Sequence, residues 1–326
     1  MSYTLVEESL EGVASAWREW RHCSRWGPVF VLPAWLKVWW DIFGEDAQLY
    51  LRSLKQDDSF VGLAPLLVKG ETASFIGSPD VCDYLDFVVA PGREDGFFSM
   101  LLDDLRERGI RRLELGPLRD DSTVSRHLIG IARGRGHEVL CRPDDVSLEL
   151  DLPASWGEYL AMLESKQRHE VRRKLRRLRE AGDTTHDCFL AVREVDEYLD
   201  LFLRLFSVSG DEKAGFMTPT MESFFRSLGR AMADIGLLRL GVLRLEGVPV
   251  SMTMGFDHGG SHYLYNSAYD PRFSQLSVGL LCKALCLRKT IESGMKKWSF
   301  LKGAEPYKYQ LGGREVKLFR YQITMA

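Results

Sequence analysis

Phe273-Ser-Gln-Leu-Ser-Val-Gly-Leu-Leu281 is a polar run that opens an apolar stretch and carries no acid. A loop feeding the first turn of a helix offers unpaired N–H groups and the positive end of the helix dipole, which suits a pyrophosphate. The backbone of Leu276, Ser277, Val278, Gly279 and Leu280 would form that cradle, with Gln275 as a side-chain contact. Gly279 lets a ligand approach the backbone closely. A second concentration of chemistry runs from Lys166 to Arg179, where eight of fourteen residues are Lys or Arg. Surface helices usually mix charge signs, so this one-sided excess in a net acidic chain points to an anionic partner. Lys166, Arg168 and Arg172 are its candidate contacts. The third is Gly303-Ala-Glu-Pro-Tyr-Lys308, a turn at a strand end from which Glu305, Tyr307 and Lys308 can reach a cleft. No Ser-His-Asp, HExxH or P-loop pattern is present, and no metal site is expected.

The elements that must position these residues follow from pattern and turn chemistry. Leu237–Leu245 and Val248–Asp257 alternate around Glu246-Gly247 as a hairpin; Ser261–Ala268 is a third strand. A helix is predicted from Val278 to Ser293 and a strand from Lys296 to Leu301. The basic segment reads as one helix from Ser155 to Ala181, closed by Gly182. The first half has the same grammar: a hairpin of Gln48–Leu54 and Phe60–Val68, strands Thr72–Ile76 and Tyr84–Val89, a helix Glu94–Arg108, and a strand Ile110–Leu115. Gly109-Ile-Arg-Arg-Leu-Glu-Leu mirrors Gly294-Met-Lys-Lys-Trp-Ser-Phe. The chain therefore reads as an internal duplication of mixed α+β domains, 1–152 and 153–326. The copies differ where it matters. Glu94 and Asp95 stand in the first turn of the first copy's helix and would repel a phosphate, so only the second copy is fit to bind one.

With 326 residues and a net charge of −3, two domains are expected and generic nucleic-acid binding, DNA included, is not. Met1–Ser9 has no apolar run, and no stretch approaches the ~20 residues needed to span a bilayer. A cytoplasmic monomer or homodimer without membrane insertion is expected. The six cysteines, Cys23, Cys82, Cys141, Cys188, Cys282 and Cys286, are scattered without a Cys-x-x-Cys and read as buried thiols.

Gly247-Val-Pro-Val, His262-Tyr-Leu-Tyr-Asn-Ser-Ala-Tyr-Asp270, Ser277-Val-Gly-Leu-Leu281 and Gly303-Ala-Glu-Pro-Tyr-Lys-Tyr309 resemble the C-terminal half of the CelD/FemABX-like group of GNAT acyltransferases, the BioF-like acetyltransferase domain. The basic run opening at Ser165 is similar to that group as well. Ser299 and Lys302 depart from its pattern, where Asp and Arg would be expected. The resemblance implies tandem GNAT domains, the first degenerate, and N-acyl transfer from acetyl-CoA or another acyl-CoA to a small or sugar-linked anionic acceptor. Several members of the group are associated with polysaccharide or cell-envelope synthesis. It also implies that the backbone of Asn266, Ser267 and Ala268 meets the donor. Tyr307 and Lys308 would serve the thiolate or the acceptor, and Glu305 the acceptor. Asp86 is a candidate base, with Tyr84 beside it. Two alternatives stay open: an aminoacyl-tRNA donor as in the FemABX branch, and a catalytically inactive scaffold.

Overall fold

In a computed structural model, residues 3–21, 26–57, 59–189 and 194–326 are described. Cys23 lies outside them. The chain divides into two compact units, Met1–Val146 with Val316–Ala326, and Ser147–Glu315. The boundary expected after residue 152 thus falls at Val146/Ser147, and the last strand returns to the first unit.

The first unit runs β1 (Tyr3–Glu7), α1 (Leu10–Trp20), α2 (Pro33–Phe43), β2 (Gln48–Gln56), β3 (Ser59–Lys69), β4 (Thr72–Phe75), β5 (Val88–Val89), α3 (Glu94–Glu107), β6 (Arg112–Arg119), a π-turn at Val124–Leu128, and α4 (Ile129–Gly134). β7 (Glu138–Asp151) crosses the boundary. The second unit continues with α5 (Trp156–Met162), α6 (Ser165–Glu180), β8 (Thr184–Phe189), α7 (Val195–Val208), α8 (Asp211–Phe216), α9 (Pro219–Asp234), β9 (Leu238–Leu245), β10 (Val248–His258), β11 (Ser261–Tyr269), a 3-10 turn (Pro271–Leu276), α10 (Val278–Glu292), β12 (Lys297–Lys302) and α11 (Pro306–Gln310). β13 (Arg314–Thr324) ends the chain.

The duplication is visible strand by strand. In the first unit β1, β2, β3 and β4 pair in antiparallel succession, and β4 then pairs parallel with β6 across α3. In the second, β8, β9, β10 and β11 do the same, and β11 pairs parallel with β12 across α10. Each parallel contact is three residues long: Thr72–Ser74 on Arg112–Glu114, and Ser261–Tyr263 on Lys297–Ser299. Both crossover helices close on a glycine of positive φ, Gly109 at 78° and Gly294 at 80°, a backbone state that only glycine adopts without strain. The strand beside β6 is β13, and the strand beside β12 is the end of β7; both run antiparallel.

One expected element is two. The helix read from Ser155 to Ala181 breaks at Leu163, whose ψ of 146° is extended, and restarts at Glu164. Glu164 and Gln167 form a capping box there, so polar side chains satisfy the first amides of α6 without a Gly or Pro to announce the break. Val171 and Leu178 are buried, and Leu175 and Leu178 pack with Val278, Leu281 and Cys282 of α10 over Leu243, Leu245 and Val250. Burying such a leucine is worth about 1.5–3 kcal/mol, enough to hold a helix that is otherwise almost all charge. Of the thiols read as buried, Cys141 is exposed and Cys188 only partly covered. No described helix is long and apolar enough to cross a membrane.

Candidate active site

β11 and β12 part company immediately beyond Tyr263 and Ser299, their last parallel pair. Both strands bulge at that point. On β11 Tyr265 is the extra residue, since Met254 faces Asn266 while Gly255 faces Leu264. On β12 Phe300 is skipped in the pairing with β7, and Leu301 sits at φ 62°. A bulge bends its strand and sharpens the local twist, so two bulges side by side open a gap between strands that began as neighbours.

α10 starts across the end of this gap. Ser277 is its N-cap in the left-handed region, with no side-chain cap and no acid in the first turn. The Leu281 N–H is the first to find its acceptor, the Ser277 carbonyl, at 3.0 Å. The amides of Val278, Gly279 and Leu280 precede it and lack intrahelical acceptors. The corresponding start of α3 carries Glu94 and Asp95. Leu280 also lines a cavity of about 310 Å³ together with Lys166, Lys174, Gln167 and Gln310, so the basic run and the loop at α10 meet on one space. Gln167 Nε2 donates to the Tyr309 carbonyl at 3.0 Å, fastening the start of α6 to the Gly303–Tyr309 segment.

The open edge of β11 is partly engaged from within. The Ser267 carbonyl accepts from Lys213 Nζ, and the Ser267 N–H donates to Asn266 Oδ1 at 3.0 Å. The Tyr269 N–H donates to Ser209 Oγ at 2.8 Å, while on the β10 side the Ala268 carbonyl accepts from Ser251 Oγ at 2.8 Å. Gln275 is exposed at the 3-10 turn.

Tyr307 and Lys308 begin α11 rather than lying in an open loop. Tyr307 is half-buried, its ring 6.4 Å from that of Phe300. Lys308 is only 2% exposed, and its ammonium donates to the Leu301, Lys302 and Gly303 carbonyls, with Glu305 at 2.8 Å. It therefore ties off the left-handed kink at Leu301. Ser299, where Asp was expected, is buried and accepts from the Leu301 N–H at 3.3 Å.

Two lysines of this site were not singled out in the sequence. Lys283 of α10 is 7% exposed; its Nζ donates to the Gly279 carbonyl at 3.1 Å and stands 4.5 Å from the centre of the Tyr307 ring. Burial, reinforced by the charge of Lys213, lowers its pKa to about 8. Burial also lowers the pKa of Lys213 on α8, with Glu305 opposing. The readable signal was Lys283 itself, a lone cation in Val-Gly-Leu-Leu-Cys-Lys-Ala-Leu-Cys-Leu.

The remaining candidates take other roles. Arg168 directs Nη1 at the Ala161 and Leu163 carbonyls, 3.4 and 3.5 Å away, and so closes the break between α5 and α6. Arg172 is exposed, and among the described residues no carboxylate pairs with it or with Lys166, Arg177 or Arg179; Arg173 pairs with Glu170 at 2.9 Å. Asp86 belongs to the first unit and accepts from the Thr123 N–H and Oγ and the Phe87 N–H at 2.6–2.9 Å. Burial raises its pKa to about 6 against those bonds. Tyr84 is a core residue of that unit, its ring edge-on to Phe30.

Residues 165–309, from the start of α6 into α11, match the family model of an acetyltransferase (GNAT) domain. The second unit, Ser147–Glu315, is thus built on an acetyltransferase (GNAT) domain. No curated protein matches the chain in sequence. The fold recurs in the crystal structure of FemX, at a TM-score of 0.66 and 12% identity over 98% of this chain and 96% of that one. A conserved protein of unknown function from Bacteroides thetaiotaomicron VPI-5482 gives 0.63 at 14% identity over the whole of both chains. The C-terminal domain of a protein described as a lysylphosphatidylglycerol synthetase from Agrobacterium fabrum gives 0.55 at 10% identity, over 89% and 91%. These likenesses, at 10–14% identity, show that the chain shares its fold with FemX.

Proposed function

We propose that the second unit transfers an acyl group from acyl-CoA, in the first instance acetyl-CoA, to the amine of a small or sugar-linked anionic acceptor. The carrying observation is the gap between β11 and β12 in front of an acid-free, uncapped start of α10. In this reading the amides of Val278, Gly279 and Leu280 hold the donor's pyrophosphate, and the thioester lies in the gap. The acceptor nitrogen forms the C–N bond as the C–S bond breaks, and the proton lost by the amine reaches the departing thiolate. Such a step needs alignment, polarisation of the carbonyl and proton transfer rather than a covalent intermediate. Tyr307 is the hydroxyl candidate for the thiolate, and Lys283, 4.5 Å from its ring centre, tunes the local charge. The first unit, with Glu94 and Asp95 at the equivalent helix start, takes no donor.

Calorimetry with acetyl-CoA tests the donor, and a thiol-release screen over amine acceptors tests the transfer. Binding of one equivalent of acetyl-CoA with acceptor-dependent thiol release is the expected result. Absence of binding removes the acyl-CoA reading.

One observation favours a second reading, an aminoacyl-tRNA donor. The cations of α6 that lack carboxylate partners among the described residues, Lys166 with Arg177 and Arg172 with Arg179, are exposed on two sides of that helix. tRNA binding whose affinity falls steeply with salt marks this case.

A further inference from the structure

Lys213, Lys283 and Lys308 come from α8, α10 and α11, and among the described residues only the Glu305 carboxylate is set against them. Three ammonium groups against one carboxylate leave two positive charges in a largely buried space. Lys308 is fully engaged, with three carbonyls and Glu305 around its three N–H groups. The other two are not. An ammonium has three donors. Lys283 uses one on the Gly279 carbonyl and rests on the Tyr307 ring, while Lys213 uses one on the Ser267 carbonyl and rests on the Phe206 ring, 4.9 Å away. Glu305 cannot neutralise both, since it already pairs with Lys308 and its side chain is 53% exposed.

Unbalanced buried charge is destabilising, and a methionine at either position would pack without that cost. The arrangement makes physical sense when an anion completes it. We propose that Lys213 and Lys283 form an oxyanion subsite that holds a carboxylate or phosphate carried by the acceptor. The acceptor is then an amine that bears its own anionic group, and the subsite sets the distance between that group and the reacting nitrogen. Naming the acceptor rests on the acyl-transfer reading above; the existence of the subsite does not.

The test is titration of the parent protein, Lys213→Met and Lys283→Met with inorganic phosphate and with succinate, at constant ionic strength in chloride. The parent is expected to bind at least one of the two probes at pH 7, and each variant to bind it at least tenfold more weakly. Phosphate alone binding assigns a phosphorylated amine, and succinate alone an amino acid. Parent affinity should fall as pH rises through about 8, where Lys283 loses its proton with Lys213, Lys308, Glu305 and Cys282 facing it. Melting curves of both variants check folding, and both should melt at or above the parent temperature. Parent-like affinity in the folded variants, or no binding by the parent beyond chloride, overturns the subsite. Competition between the probe and acetyl-CoA overturns the assignment to the acceptor. If acetyl-CoA fails to bind while the probe binds and is lost in the variants, the donor reading falls and the subsite stands.

Discussion

The Lys283 ammonium stands 4.5 Å from the centre of the Tyr307 ring, and that ring and one carbonyl are its nearest compensation for leaving water. Its pKa of about 8, against 10.5 for a free lysine, makes stability depend on pH. Below pH 8 folded and unfolded chains both carry the proton, and the whole penalty is present. Between pH 8 and 10.5 the folded chain has released the proton and the unfolded chain keeps it, so stability rises with pH. The penalty at neutral pH is roughly 3 kcal/mol. Lys283→Met should raise the melting temperature at pH 7 by several degrees and flatten the profile from pH 8 to 10.5. Parallel profiles for parent and variant would show that the buried charge is not what limits stability.

Gly279 can be probed by size and by charge separately. A Cβ there would lie 3.3 Å from the Tyr269 ring, so a small shift of that ring is needed. Gly279→Ala should fold and bind acetyl-CoA somewhat more weakly. Gly279→Asp also places a negative charge at the dipole's positive end and should abolish binding. Calorimetry on both variants decides, and equal affinities for Asp and Ala would remove the pyrophosphate from this turn.

Neighbouring residues of α11 should fail in different ways. Tyr307→Phe removes only a hydroxyl and should lower kcat with the acetyl-CoA dissociation constant unchanged. Lys308→Ala leaves the Leu301, Lys302 and Gly303 carbonyls without their donor and should destabilise the fold by about 2–5 kcal/mol. A Lys308→Ala protein that melts like the parent but turns over slowly would move Lys308 from scaffold to chemistry.

Arg168 and Arg172 should separate likewise. Arg172→Gln should raise the acceptor KM, and the loss should shrink as salt is added. Arg168→Gln should leave KM alone and lower stability by about 1 kcal/mol, because its bonds go to Ala161 and Leu163. Equal KM effects from both would put Arg168 on the acceptor too.

Both hairpins, β2 with β3 and β9 with β10, were legible because period-two alternation and glycine helix ends are local signals, and Gly109 and Gly294 do close their helices as read, whereas β1 and β8 were not read. The acid-free start of α10 was legible for the same reason. The break at Leu163 was not, since a capping box of Glu164 and Gln167 resembles ordinary helix composition. Residues 183–236, which hold β8 and α7 to α9, were left unassigned although α7 and α9 carry amphipathic patterns with Phe202, Phe206, Phe224 and Phe225 buried. Lys213 and Lys283 were hidden more deeply. Their burial depends on elements far apart in sequence, and a lysine on a helix normally faces water.

The return of β13 to the first unit has a consequence for biosynthesis. β6 pairs with β13 from Leu318 to Thr324, after all of the second unit has been made. While the ribosome works through the intervening residues, β6 presents an unpaired hydrogen-bonding edge, the kind of surface that recruits foreign strands. The first unit cannot reach its final sheet until the last residues emerge, so the half made first is finished last. Pulse-labelled chains stalled before Arg314 should therefore show a protease-sensitive β6, and release of the full chain should protect it.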